Sequence, residues 1–289
     1  MQIVTDSGMD LYLPADQLPE APIHVVRHTI TLDGKSYLSG QDIQPAELYR
    51  LLETGGGFPV TSQASAGDYA ATFRRLAASD PDILCISMSS GLSGTFNAAR
   101  LAADMTPEAR VTVVDTKTLS AVMGWQVAAA ARAVKAGWPA ERIAALIERI
   151  VAVSDSIYTL NDLRYLIHGG RISHMKGLIA SVLHLKPMIG VAKGSGAYEQ
   201  LGQERSFQGA LRGLANVVLR RHAAGTPLRV QIVHAANVEG AEILRQHLDR
   251  LFHCTWMPMG TISPVLGAHT GPTLVGVGFA ALADYPALP

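Results

Sequence analysis

The sequence predicts an α/β protein of two domains: an N-terminal, mainly parallel sheet flanked by helices, then an α+β domain with an antiparallel sheet. Three observations carry this prediction. In the first half, short β-branched runs alternate with longer Ala/Leu-rich segments, as βαβ units require. The runs IVT, ILCIS and VTVV are continuously apolar rather than alternating, which is the pattern of strands buried on both faces. After about Val153 the chain changes to the segments SIYTL, PMIGVAK, AYEQLGQ, LRVQIVHA and CTWMPMGTI, separated by turn signals such as KGSG and AAN. That pattern suits an antiparallel meander with a few helices inserted. The domains are therefore expected at 1–153 and 154–289.

Taken in order, strands are expected at Gln2–Thr5, Ile23–Leu32, Ile83–Met88 and Val111–Val114. Helices are expected at Pro45–Glu53, Gly67–Ala78, Thr95–Asp104, Leu119–Ala136 and Glu141–Val153. Ser65 with Asp68, and Ser7 with Asp10, have capping-box spacing, so both serines read first as helix N-caps. No internal repeat and no low-complexity tract is present.

Composition excludes several classes of function. The 289 residues carry 24 Lys+Arg against 24 Asp+Glu, with 48% hydrophobic residues, which describes a globular chain without the field that nucleic-acid binding needs. Cys85 and Cys254 are far apart and form no CxxC, so neither a disulfide framework nor a zinc site is expected, and a reducing cytoplasm fits. The start, MQIVTDSG, lacks the basic and apolar regions of an export signal. The most apolar helical stretch, 119–134, is interrupted by Gly124, Gln126 and Arg132, so no membrane span is expected. The arginines of RRHAAGTPLRV read as the wet face of a helix and the start of a strand.

The chemistry is expected where the first-half strands end. Thr5-Asp6-Ser7, Thr61-Ser62-Gln63-Ala64-Ser65, Ser89-Ser90-Gly91-Leu92-Ser93-Gly94-Thr95 and Asp115-Thr116-Lys117-Thr118 each follow an apolar run. Strand carboxyl ends share one edge of a parallel sheet, and ligands bind outside it. Hydroxyls and free helix amides there hold anions without a side-chain cation. The loop SSGLSGT has more glycines and hydroxyls than one cap requires, which makes it the strongest anion candidate.

Other motifs fail on context. GVGFAA at 276–281 satisfies GxGxxA, but it lies near the end of the sequence with no acidic residue about 20 positions on. GLSGT has Thr where a nucleophile elbow needs its second Gly. Neither a P-loop nor HExxH occurs. Arg171 in HGGRIS follows paired glycines that can turn the backbone sharply and aim its guanidinium, and it reads equally as a surface arginine. His269 in GAHTGP reads as structural or as a ligand contact. The segment LIASVLHLKPMIGVA is core, or the wall of an apolar pocket.

Eight motifs taken together resemble one family. VTDS at 4–7, DG at 33–34, TSQAS at 61–65, SSGLSGT at 89–95, VVDTKTLS at 113–120, LRYLIHGGRIS at 163–173, LKPMI at 185–189 and GAHTGP at 267–272 look like the signatures of the DegV family, in order over nearly the whole chain. The resemblance implies a DegV-like two-domain fold enclosing a long-chain fatty acid. It also implies a non-catalytic carrier that presents the acid's carboxylate to a separate ATP-using fatty acid kinase, which makes the acyl phosphate. The carboxylate contacts would fall on Thr61, Ser93 and His269. Ser62, Ser90, Gly94, Thr95 and Arg171 would lie near the head group, and Arg171 and Arg205 at the kinase-docking surface. TSQAS stands where the family commonly has TSQPS, and QERSFQGAL is less basic than usual around Arg205. No cofactor is implied. The alternative reading is an enzyme acting on a phosphate- or carboxylate-bearing small molecule, since SSGLSGT suits either anion.

Overall fold

The computed structural model describes residues 1–17, 22–55, 57–174 and 185–289. β1 (Gln2–Asp6) pairs in parallel with β2 (Ile23–Val26). Two residues later the chain leaves that sheet. β3 (Thr29–Leu32) folds back onto β4 (Lys35–Leu38) through Asp33 and Gly34, both at positive φ, as a tight hairpin requires. After α1 (Pro45–Thr54), β5 (Val60–Ser62) joins the other side of β3, giving a small antiparallel sheet ordered β4-β3-β5. The chain then alternates through α2 (Ala66–Ala77), β6 (Asp82–Ser87), α3 (Thr95–Asp104) and β7 (Arg110–Asp115) into α4 (Ser120–Lys135) and α5 (Ala140–Val153). The result is a four-stranded parallel sheet ordered β2-β1-β6-β7.

The helices follow the sequence reading closely, and Ser65 makes the expected capping box. Its hydroxyl accepts from Asp68 N at 3.1 Å, and the Asp68 carboxylate accepts from Ser65 N at 2.8 Å. Three expectations are corrected. The strand expected over Ile23–Leu32 is two strands in different sheets, divided at Arg27-His28, because His28 is turned inward and bonded to Ser7. Ser7 therefore caps no helix. VTVV lies in β7, which ends the sheet and is only partly covered, rather than buried on both faces.

The second half begins with β8 (Ser154–Thr159) and α6 (Arg164–His168), and the described chain resumes into β9 (Lys186–Val191) and β10 (Tyr198–Glu204). Residues 178–184 of the LIASVLHLKPMIGVA segment lie outside the described residues. Then come α7 (Phe207–Arg221), β11 (Pro227–His234), α8 (Val238–Asp249), β12 (His253–Trp256), β13 (Gly260–Thr261), α9 (Pro264–Thr270) and β14 (Val275–Ala281). These strands form one sheet ordered β10-β9-β8-β14-β11-β12, with β13 also on β11. β10 through β11 pair antiparallel, as the meander reading expects, but β11 runs parallel to β12 and β13 across α8, a crossover that reading lacks. GVGFAA is part of β14, a central strand. A Cβ on Gly276 would fall on the Tyr158 ring, so the glycine serves packing.

One apolar core runs through both halves, from Ile3, Leu84 and Ile147 to Tyr158, Ile189 and Leu274. α9, late in the sequence, crosses back to pack on α1, β3 and β5. That return brings His269 to Thr61. No helix among the described residues is long and apolar enough to cross a membrane.

Candidate functional site

In the order β2-β1-β6-β7, the chain leaves β1 first toward one side and later returns on the other, so a crevice opens beyond the carboxyl ends of β1 and β6. A cavity with about 820 Å³ of space between atoms, part of it open to solvent, lies there. Its walls are mainly apolar: Met88, Leu92 and Leu119 from the first half face Leu160, Leu166, Ile189, Ile262, Val265, Leu266 and Leu274 from the second. Its polar lining includes Thr61, Ser93, His28, His269, Thr270 and Arg171, and no Asp or Glu occurs among the described lining residues.

Thr61 and His269 meet by a long route. Thr61 lies inside β5, opposite Ile30, and not in a loop beyond a parallel strand as its sequence context suggests. Its hydroxyl is 2.7 Å from His269 Nε2, which α9 supplies. Burial first, then the charge of Arg171 and the neighbouring His28, hold the His269 ring down at about 3, so it is neutral at physiological pH. Its Nδ1 is buried and has no hydrogen-bond partner among the described residues. An unpaired buried lone pair costs less than an unpaired buried N–H, so the ring proton belongs on Nε2, donated to Thr61 Oγ1. The Thr61 hydroxyl is then free to donate into the cavity. Gly169 permits this placement, because a Cβ there would fall on His269 Nδ1.

Arg171 follows Gly170, whose φ of +73° makes the turn that the paired glycines suggested. Its Nη1 donates to Gly169 O at 2.5 Å, and no carboxylate pairs with it among the described residues. The guanidinium therefore leaves a positive field in the cavity, which also favours the neutral form of His28.

Ser93 sits beyond β6, where the parallel-sheet argument placed an anion site. Its Oγ lies 2.6 Å from Thr95 Oγ1 and accepts from Thr95 N at 3.3 Å. Thr95 Oγ1 lies 3.0 Å from His28 Nε2, and His28 Nδ1 lies 2.9 Å from Ser7 Oγ. Ser7 directly follows Asp6, and His28 lies two residues after Val26, the partner of Asp6 in the strand pairing, so the pairing of β1 and β2 brings the two together.

Other residues expected at the head group are placed differently. Thr95 is fully buried behind Ser93 and supports it. Ser90 is corrected: its N–H donates to Asp115 Oδ1 at 3.2 Å and its hydroxyl accepts from Lys117 Nζ at 3.3 Å, so the loop's own ion pair holds it and it does not line the cavity. Ser62 is also corrected, since strand alternation turns it outward and leaves it exposed beside the inward Thr61. Gly94 packs against the Gln63 amide. Arg205 lies elsewhere, exposed in a surface groove between β10 and α7 with Gln203, Glu204 and Arg212. Ser89 donates to Gly196 O at 2.7 Å, which ties the serine-rich loop to the β9–β10 turn.

Sequence reasoning missed His28, Ser120, Tyr158 and Tyr198 as cavity residues. The polar pair Arg27-His28, interrupting an apolar run, was the available signal for the first. Ser120 stands at φ +59° and donates to Asp10 Oδ2 at 2.6 Å, a constraint that no local pattern announces. Burial pushes the Asp10 carboxyl up to about 7 and the Tyr198 phenol up to about 12.

The sequence model of the family described as uncharacterised protein, DegV family, matches residues 1–282. A DegV domain-containing protein of Deinococcus radiodurans is 32% identical over 279 residues, covering 96% of this chain and 94% of the relative. A DegV family protein from Thermus thermophilus, described for its fatty acid binding, superposes with a TM-score of 0.84 at 28% identity, covering 97% of this chain and 99% of that one. A Thermotoga maritima protein whose structure is described as revealing a fatty acid binding function gives a TM-score of 0.82 at 25% identity, with the same coverage of 97% and 99%. By sequence and by fold, the chain belongs to the DegV family.

Proposed function

We propose that this protein binds one long-chain fatty acid in the cavity, its carboxylate at Thr61, Ser93 and His269 and its tail along the apolar wall. The observation that carries this reading is the meeting of two cavity-lining hydroxyls, Thr61 and Ser93, and an arginine without a carboxylate partner with an apolar lining free of carboxylates, all among the described residues. The fatty acid binding of the Thermus and Thermotoga relatives supports it. Residues 1–153 and 154–289 act in this reading as two lobes that form opposite walls.

The energetics fit a carrier. Burying about 0.8 kcal/mol per methylene gives a chain of roughly sixteen carbons on the order of 10 kcal/mol gross, before the cost of association. A buried carboxylate costs several kcal/mol unless hydrogen-bonded, and the hydroxyl donors offset that. The tail thus supplies affinity and the head group sets orientation. We further propose that the carboxylate is presented to a separate ATP-using kinase that docks near Arg171 and Arg205. The sequence has no P-loop of its own, and an acid held at the pocket mouth leaves one oxygen free for in-line attack on a γ-phosphoryl group.

Organic extraction of the purified protein, followed by mass spectrometry, should return a long-chain fatty acid at near-stoichiometric amount. Replacing Thr61→Ala with Ser93→Ala should weaken retention by roughly 10–100-fold per hydroxyl lost, with an unchanged circular dichroism spectrum. An empty protein from a lipid-replete host, or unchanged retention in the double variant, would contradict the reading.

A further inference from the structure

Behind Ser93 runs a chain of hydrogen bonds whose proton order follows from counting donors and acceptors. The His28 main-chain N–H donates to Ser7 Oγ at 3.0 Å. Ser7's own proton goes to His28 Nδ1 at 2.9 Å, its only acceptor among the described residues. With Nδ1 accepting, a neutral ring carries its proton on Nε2. Burial, the largest influence on this ring, and Arg171 favour the neutral form against the opposing charge of Asp6.

Nε2–H then donates to Thr95 Oγ1 at 3.0 Å, and the Thr95 hydroxyl donates to Ser93 Oγ at 2.6 Å. Ser93 Oγ also takes the Thr95 main-chain N–H at 3.3 Å. Both of its acceptor positions are filled. Its own proton has one direction left, the cavity that Ser93 lines.

We propose that His28 is a positioning residue for head-group selectivity: acting through Thr95, it commits Ser93 to donate into the cavity, so that the site takes an acceptor-only carboxylate over a long-chain alcohol. The proposal rests on the fatty-acid reading above. An alcohol brings a proton of its own, which Ser93, with both acceptor positions filled, cannot take. A carboxylate accepts from both Ser93 and Thr61. Without the Nε2–H of His28, the Ser93 hydroxyl can turn back and donate to Thr95 instead, and the distinction weakens.

The test is the ratio of affinities for palmitic acid and 1-hexadecanol, measured by competition against a fluorescent fatty acid. In His28→Phe this ratio should fall about tenfold. Thr95→Val breaks the same relay at a second point and should lower the ratio similarly. The double variant should be no worse than either alone, because both substitutions interrupt one chain. His28→Gln, which retains an N–H donor of similar reach, should recover much of the loss. In the wild type, ¹⁵N resonances of His28 should report the Nε2–H tautomer. An unchanged ratio in both single variants, strictly additive losses, or an Nδ1–H ring would overturn the proposal while leaving the fatty-acid reading intact. Failure of the wild type to bind palmitic acid would overturn both.

Discussion

In the proposed site, Thr61 and Ser93 would hold with neutral hydroxyls an anion that lysines could hold more strongly. In the proposed proton order each is a short donor directed from behind, Thr61 by His269 and Ser93 by Thr95. The desolvation cost is lower than with lysines, because the protein's donors are neutral and only the carboxylate's charge is buried. The arrangement requires His269 to remain neutral, which gives it a pH signature. Its folded value of about 3 lies below the ordinary histidine value of 6.5, so below about pH 6.5 the unfolded chain binds a proton that the folded chain refuses. The stabilising difference is therefore present near neutrality and lost as pH falls, by about 1.4 kcal/mol per unit. The stability gap between wild type and His269→Asn, measured by urea unfolding, should narrow from pH 7 to pH 4; parallel curves would contradict the neutral ring. At this scale, the sequence motifs pointed to Thr61, Ser93, His269 and Arg171. They did not reveal His28, whose role depends on Ser7 and Thr95, far away along the chain.

Among elements, the helices and parallel strands were readable because their signals are local: a 3.6-residue period, a capping box and uninterrupted apolar runs. β4 and β5 were missed because they are short and rich in polar residues, and each is stabilised by pairing with β3 rather than by its own pattern. The loop after β1, the start of α4 and the start of α9 meet at Asp10, which accepts from Ser120 Oγ at 2.6 Å and from Ser263 N at 2.7 Å. Burial raises Asp10 to about 7, so the folded chain keeps a proton that the unfolded chain loses near pH 4. The sign here is opposite to that of His269: stability from this group is full below about pH 4 and declines as pH rises toward 7. Asp10→Asn can keep the bond from Ser263 N and reverse the other, its amide donating to Ser120 Oγ, without the charge. It should gain on the wild type between pH 4 and 7 by up to about 1.4 kcal/mol per unit in urea titrations, and a constant difference would show that the carboxyl is not raised.

For the whole molecule, the family and the α/β architecture were legible in eight motifs standing in register, whereas the cavity was not. Its walls are assembled from both halves, and the step that closes it is the return of α9 onto α1, β3 and β5. No local pattern encodes that crossing. In the proposed complex a carboxylate lies at Thr61 and Ser93 while its alkyl chain fills the apolar cavity. A crystal structure of the complex with palmitic acid tests it most directly. Carboxylate oxygens are expected within hydrogen-bond distance of Thr61 Oγ1 and Ser93 Oγ, with a tail running past Leu119 and Ile189. A carboxylate at the opposite end of the cavity, or an acyl chain lying on the outer surface, would contradict it.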